Sequence, residues 1–347
     1  MKNSILKKSI GSIVAGILFG IVALVTPAIL PAQQAALKGN VVLDGSSTVF
    51  PVSEAAAAAF RKEFPNVNVT VAVSGTGGGF KRFAIGETDV SNASRPIRPD
   101  EFQAAKEKGV QFIELPVALD GLSIVVNPKN GWVDKLTVEQ LQAIYLEDGT
   151  ARKWNDLDPA WPDQPIKVYS PGTDSGTFDY FKEVVVPKGK NLRPDLSASE
   201  DDNVLVTGVA GDQYSIGYFG ASYYYENKEK LKSVAVVNPE TGEAVHPDPE
   251  HVINGSYAPF GRPLFIYVNV ASLRRPEVRK FIEFYMQRAG EFATQVRYVA
   301  VPEEVQARAA DFLKKRKSGT TYVVDGKEKR KGGLVAVYVE ENLVDTK

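Results

Sequence analysis

The chain has 347 residues, 44% of them hydrophobic and 24% charged. That is ordinary globular composition, which excludes a disordered, collagenous or polytopic membrane protein for its bulk, and the length allows two lobes. The formal charge of −1 leaves no overall basic field to hold nucleic acid. With no cysteine there are no disulfides, thiolate metal sites or cysteine nucleophiles, and two histidines leave little room for imidazole chemistry.

The N-terminus has the pattern of an export signal. Lys2, Lys7 and Lys8 precede an almost wholly apolar stretch from Ile10 to Leu30, and small residues follow around Ala32 to Ala36. The apolar run is also long enough to span a bilayer, which takes about 20 residues. Residues 1–35 are therefore expected to be a cleaved signal peptide or an uncleaved membrane anchor, and the rest of the chain to be exported. Loss of the three lysines takes the formal charge from −1 to −4.

Beyond the leader, strands and helices alternate. A strand at 41–43 leads to an Ala-rich helix over 51–63, which Pro65 ends by disfavouring helix at the residue before it. A strand at 67–73, a short helix from Phe80, a strand at 90–93, a helix at 99–108 and a strand at 111–115 follow. This βαβαβ order predicts an α/β fold with a mainly parallel sheet, whose ligands sit at the carboxyl ends of the strands. Two apolar segments, Asp120 to Asn127 and Arg262 to Asn269, both end in Val-Asn. Between them lie helices at 137–146, 176–186 and near 200–210, and strands at 166–169 and 215–219. The pattern predicts a second lobe, 122–267, inserted into a first lobe of 40–121 plus 268–347, with the two similar strands as crossovers and a ligand cleft between the lobes. In the tail, Tyr322-Val323-Val324 and Leu334 to Val339 read as two strands of a hairpin around a glycine turn.

Three loops share one chemistry: Asp44-Gly45-Ser46-Ser47-Thr48, Ser74-Gly75-Thr76-Gly77-Gly78-Gly79 and Gly172-Thr173-Asp174-Ser175-Gly176-Thr177. Each sets hydroxyls and glycine beside a predicted helix start, where unpaired N–H groups and the helix dipole favour an anion. A single loop of this kind is usually a cap and a turn. Three of them from two lobes can converge on one tetrahedral oxyanion. The phosphate loop of nucleotide-binding proteins fails, because the second loop continues Phe80-Lys81 rather than Lys-Ser or Lys-Thr. Ser94-Arg95-Pro96, at the end of the third strand, adds a guanidinium that suits an oxyanion.

These residues carry a resemblance. From about Val41 to Asn269 the chain resembles the periplasmic phosphate-binding proteins of ABC importers, the PstS family, and is most similar to its cyanobacterial SphX-type branch. The stretches concerned are Asp44 to Pro51, Ser74 to Gly79, Ser91 to Ile97, Pro171 to Phe181, Ser215 to Gly220 and the two Val-Asn strands. The resemblance implies a two-lobed, Venus-flytrap, type II binding-protein fold without cofactor, metal or catalytic residues. It implies a monomer that takes inorganic phosphate to an ABC permease in the inner membrane, in the periplasm or held at the membrane.

The family's first-loop hydroxyl falls on Ser47 or Thr48. The second-loop hydroxyl falls on Thr76, with N–H groups from Gly77 or Gly78, and the Ser-Gly-Thr on Ser175, Gly176 and Thr177. Beside Ser94 stands Arg95 where well-known members carry an aspartate, and Tyr169-Ser170-Pro171 stands where they carry an arginine. The expected exchange has Arg95 supply the cation and another carboxylate accept the phosphate proton. Asp174 is favoured over Asp120 for the acceptor, and Asp44 reads as a local turn acceptor. Such a carboxylate separates phosphate from sulfate, which has no proton to give. The alternatives are a binding protein for another oxyanion, such as sulfate, and a secreted phosphatase. The second needs a metal cluster or an activated nucleophile, against which the histidine and cysteine counts speak.

Overall fold

The computed structural model describes residues 37–173, 175–199, 201–325, 328–330 and 332–346; the N-terminal leader lies outside them. Among the described residues no helix is long and apolar enough to cross a membrane.

In chain order the first half comprises β1 (Gly39–Gly45), α1 (Phe50–Glu63), β2 (Val67–Val71), α2 (Gly75–Ala84), β3 (Val90–Ala93), α3 (Pro99–Glu107) and β4 (Phe112–Val126). The middle adds β5 (Lys135–Leu136), α4 (Val138–Tyr145), β6 (Lys167–Pro171), α5 (Gly176–Val185), β7 (Ser197–Ser199), α6 (Asp202–Gly211), β8 (Ser215–Gly220), α7 (Ala221–Glu226), β9 (Lys232–Val237), β10 (Ala244–Val245) and α8 (Pro249–Asn254). Then come β11 (Gly261–Asn269), α9 (Pro276–Gln287), α10 (Ala289–Gln295), α11 (Glu303–Lys315), β12 (Val323–Val324), β13 (Glu328–Lys329) and α12 (Leu334–Val337).

The main sheet runs β2-β1-β3-β11-β4-β8-β6-β7. β1 is parallel to β2 and β3, and β6 is parallel to β7 and β8, so each lobe has the parallel core that βα alternation demands. The two halves share β4. Its 15 residues are all buried. Phe112 to Gly121 pair with β11, and Leu122 to Val126 pair with β8 and β9. The pairing partner changes between Gly121 and Leu122, and there one lobe gives way to the other. The result is a two-lobed type II binding-protein fold.

The sequence suggested two strands where β4 is one. Pro116 explains how they join. It has no N–H for the ladder, and the register with β11 shifts beside it, Leu264 facing Ala118 and Phe265 facing Pro116. Val117 is thus left as a bulge, which lets an extended strand pass through a proline. The tail also departs from expectation. β12 pairs with β13, but Leu334–Val337 is the helix α12 and not a strand. A Cβ on Gly333 would lie 2.1 Å from the Asn254 carbonyl oxygen, so the backbone can pass α8 only as glycine. Leu334 and Val337, one turn apart, then both face inward.

The tail is fixed to lobe one by a buried carboxylate. Glu114, on β4, accepts from Tyr267 Oη at 2.8 Å, Thr320 Oγ1 at 2.5 Å, and both the N–H and the hydroxyl of Thr321 at 2.9 Å. Tyr338 Oη donates to the Glu114 carbonyl at 2.7 Å. Burial pushes the Glu114 carboxyl above its ordinary range, opposed by these donors. Glu114→Ala strands four buried donors. It is expected to lower the unfolding free energy by about 3 kcal/mol, read from urea unfolding. A loss within the scatter of surface substitutions would show that the tail is held by its apolar contacts alone.

Candidate functional site

The first loop is shaped by contact between strands. Gly45 has φ +138°, and a Cβ there would come within 2.2 Å of the Asn92 carbonyl, which accepts from Ser46 N at 3.0 Å. Asp44 is spent inside the lobe: its carboxylate accepts from Gly45 N at 2.8 Å and from Arg82 Nη1 at 2.5 Å. This agrees with its reading as a turn acceptor. Ser47 and Thr48 lead into α1 and project at the cleft.

The second loop is not a loop beyond Ser74. Gly75, at φ +73°, begins α2, so Thr76, Gly77 and Gly78 form its first turn. Gly79 is required for packing, since a Cβ would lie 2.6 Å from the Gly45 Cα. Beyond Gly77 there is open space, and Gly78 backs onto the Ser74 side chain. Thr76 Oγ1 accepts from Ser94 N at 3.2 Å and lies 3.1 Å from Ser94 Oγ, which ties the α2 start to the end of β3. Arg95 makes a two-pronged pair with Glu101, at 2.8 and 2.7 Å, and also donates to the Pro96 carbonyl.

In lobe two, Ser175 caps α5, its hydroxyl accepting from Thr177 N at 3.2 Å. Gly176 is where the lobes touch: a Cβ would stand 2.9 Å from the Thr48 Cα, and Thr48 Oγ1 donates to the Gly176 carbonyl at 3.4 Å. Asp174 lies outside the described residues. One turn into α5, Asp179 accepts from Ser47 Oγ at 2.5 Å across the cleft. One turn further, Glu183 accepts from Arg262 Nη1 at 2.9 Å.

Arg262 is the centre of the hinge. It stands opposite Asp120 in the β11–β4 register, with Nε 3.6 Å from Asp120 Oδ2. Both residues are buried, and neither of these two atoms has a hydrogen-bond partner among the described residues. The guanidinium lies over the Tyr180 ring at 3.3 Å and donates to Thr48 Oγ1 at 3.1 Å. Tyr298 Oη donates to the Thr48 carbonyl at 2.9 Å. Burial pushes the Asp120 carboxyl up, and the positive Arg262 opposes that shift.

The cleft so formed has a volume of about 570 Å³. Of the residues singled out in the sequence, Ser47, Thr48, Thr76, Gly77, Ser94 and Arg95 line it. Gly78, Asp120, Ser175, Gly176 and Thr177 stand behind that lining or at the seam between the lobes. Asp179 and Glu183 line the cleft too, and sequence reasoning missed both. Their signal was present, since they follow Ser175 at four-residue spacing on one face of α5. Arg262 was also missed. It is the charged residue opening an otherwise apolar strand, and its pairing with Asp120 depends on a register that one sequence does not reveal.

Fold and cleft together define a two-lobed ligand-binding protein whose cleft presents hydroxyl and backbone donors. The chain belongs to the PBP superfamily: the sequence model of the PBP superfamily domain matches residues 30–289. It is 48% identical over 304 residues to Protein SphX of Synechococcus elongatus, covering 87% of this chain and 89% of that protein. It is 41% identical over 283 residues to the phosphate-binding protein PstS of Staphylococcus saprophyticus, covering 80% of this chain and 86% of that protein. Among solved structures, a possible phosphate binding protein of Planctomyces limnophilus superposes with a TM-score of 0.79 at 43% identity, covering 81% of this chain and all of that one.

Replacing Arg262 removes the cation that Asp120 faces in a site without water access. Arg262→Leu is expected to lower stability by about 3 kcal/mol, and Asp120→Asn on that background to restore part of it, as measured by chemical unfolding. Equal costs for the single and double variants would mean that the pair is not coupled.

Proposed function

We propose that this chain is an exported receptor that captures inorganic phosphate between its lobes and presents it to an ABC permease, without catalysis. The observation that carries the reading is the convergence of Ser47, Thr48, Thr76, Gly77 and Ser94 on one interlobe cleft. The similarity to SphX and PstS proteins supports phosphate as the anion. The permease, a monomeric state, and a periplasmic location with the leader either cleaved or kept as an anchor follow from the family resemblance and the N-terminal pattern.

In this reading the hydroxyls of Ser47, Thr76 and Ser94 and the N–H of Gly77 donate to phosphate oxygens. The remaining Arg95 N–H groups face the anion while Glu101 holds the guanidinium in place. Ser175, Gly176 and Thr177 act from the start of α5 as the lobes close. The proton acceptor is Asp179. It faces the cleft and already accepts a hydrogen bond from Ser47, whereas the buried Asp120 carboxylate faces Arg262. HPO4²⁻ can donate a hydrogen bond from its O–H to this carboxylate, and sulfate meets it only as a like charge. Closure removes water and strengthens each of these bonds.

Calorimetric titration of the whole chain, stripped of bound anion, tests the reading. Phosphate is expected to bind at one site, and a large excess of sulfate to leave that binding unchanged. Asp179→Asn is expected to shrink the preference for phosphate over sulfate at least roughly tenfold, the worth of one charged hydrogen bond. Thr76→Ala is expected to weaken phosphate binding with the fold intact. No phosphate heat in the wild-type chain would refute the function, and an unchanged preference in Asp179→Asn would refute the acceptor alone.

A further inference from the structure

The cleft is larger and more positive than orthophosphate needs. At roughly 30 Å³ per water, an ion the size of two or three waters fills about 60–90 Å³, a small part of the approximately 570 Å³ present. The lining includes the segment 186–190, which follows α5. The cleft walls also carry Arg98 from lobe one, and Lys182 and Lys188 from lobe two. All three are exposed, and none of their cationic groups makes an ion pair among the described residues, although the Arg98 backbone N–H donates to Glu101. Arg95 is matched by Glu101, Lys190 by Asp148 and Glu183 by Arg262, while Asp179 keeps its negative charge and accepts only from the neutral Ser47 hydroxyl. Three unmatched cations on the lining thus outnumber one unmatched carboxylate, and the balance is positive. No aromatic ring lines the cleft, and its only large apolar groups are Val186 and Pro187. The cleft thus offers little to a nucleoside or lipid group, and much to further negative charge.

We propose that the cleft also takes linear condensed phosphates, of which inorganic diphosphate is the smallest. One phosphoryl group sits on the inner donors, and the next lies between Arg98, Lys182 and Lys188. The inference rests on the phosphate reading above, because it uses the same inner donors. It differs in its ligand and in the residues that decide it.

Competition calorimetry on the whole chain, with orthophosphate and inorganic diphosphate as probes, separates the two readings. Diphosphate is expected to bind at one site and to displace orthophosphate. The triple variant Arg98→Ser, Lys182→Ser, Lys188→Ser is expected to lose roughly tenfold or more in diphosphate affinity and less than about threefold in orthophosphate affinity. Orthophosphate binding with no displacement by diphosphate would overturn this proposal and leave the phosphate receptor standing. An equal loss for both ligands would reduce the three cations to general attraction of anions, which also overturns it. Failure of both ions to bind would remove the phosphate reading and this one with it.

Discussion

A guanidinium held out of water at the boundary between the lobes constrains the rest of the structure. Withdrawing Arg262 from solvent costs several kcal/mol unless partners surround it. The partners come from three directions: Asp120 on the neighbouring strand, Thr48 at the start of α1, and Tyr180 and Glu183 on α5 of the other lobe. The first two travel with lobe one, and the last two belong to lobe two. Opening the cleft would strip Arg262 of its ring and one carboxylate, and leave Asp120 as its remaining counter-charge. In this structure the partners from both lobes meet Arg262 at once. The Glu183 side chain is about half exposed, so its share is discounted by solvent screening. The stacked Tyr180 ring is fully desolvated and is the stronger part of the clasp.

The same closeness explains where glycine appears. Gly45 and Gly79 let β1, β3 and the start of α2 lie against each other, and Gly176 lets the start of α5 reach the backbone of Thr48. A methyl group at any of the three would collide with neighbouring backbone. These glycines hold the donor-bearing turns within one anion's reach. They act through what they omit, and the hydroxyls beside them supply the chemistry.

Local elements were legible in the sequence because local causes make them. The Ala-rich run ended by Phe64-Pro65 is α1, and the alternating Val67 to Val71 is β2. The two Val-Asn segments lie in β4 and β11, which pair with each other, and that pairing of distant segments was readable only as a likeness. What escaped depends on distant contacts. The join of 111–115 to 120–127 needed β11 beside it to carry the proline bulge. The helix α12 needed Asn254 pressed against Gly333. Glycine's poor helix propensity hid the start of α2, where tertiary packing overrides it. At the cleft, hydroxyl loops announce themselves by composition. Arg262 and Asp120, each at the head of an apolar segment, become partners only once the register is fixed. Asp179 and Glu183 resemble ordinary solvent-facing residues of a helix until the other lobe is placed opposite.

The two α5 carboxylates divide the work by what holds them. Glu183 is tied to a cation, and turning it toward a ligand O–H would break its ion pair with Arg262. Asp179 is held by a neutral hydroxyl, and Ser47 can turn from it to a ligand oxygen without leaving a charge behind. A carboxylate that is to accept a hydrogen bond from an incoming anion needs this second kind of partner. One that must keep the lobes together needs the first. Exchanging the two along the helix would place the acceptor on the clasp and the clasp on the acceptor, although spacing, burial pattern and net charge would all be unchanged. In the proposed reading, the selectivity of the cleft depends on which partner each carboxylate meets across the interface, Ser47 for Asp179 and Arg262 for Glu183.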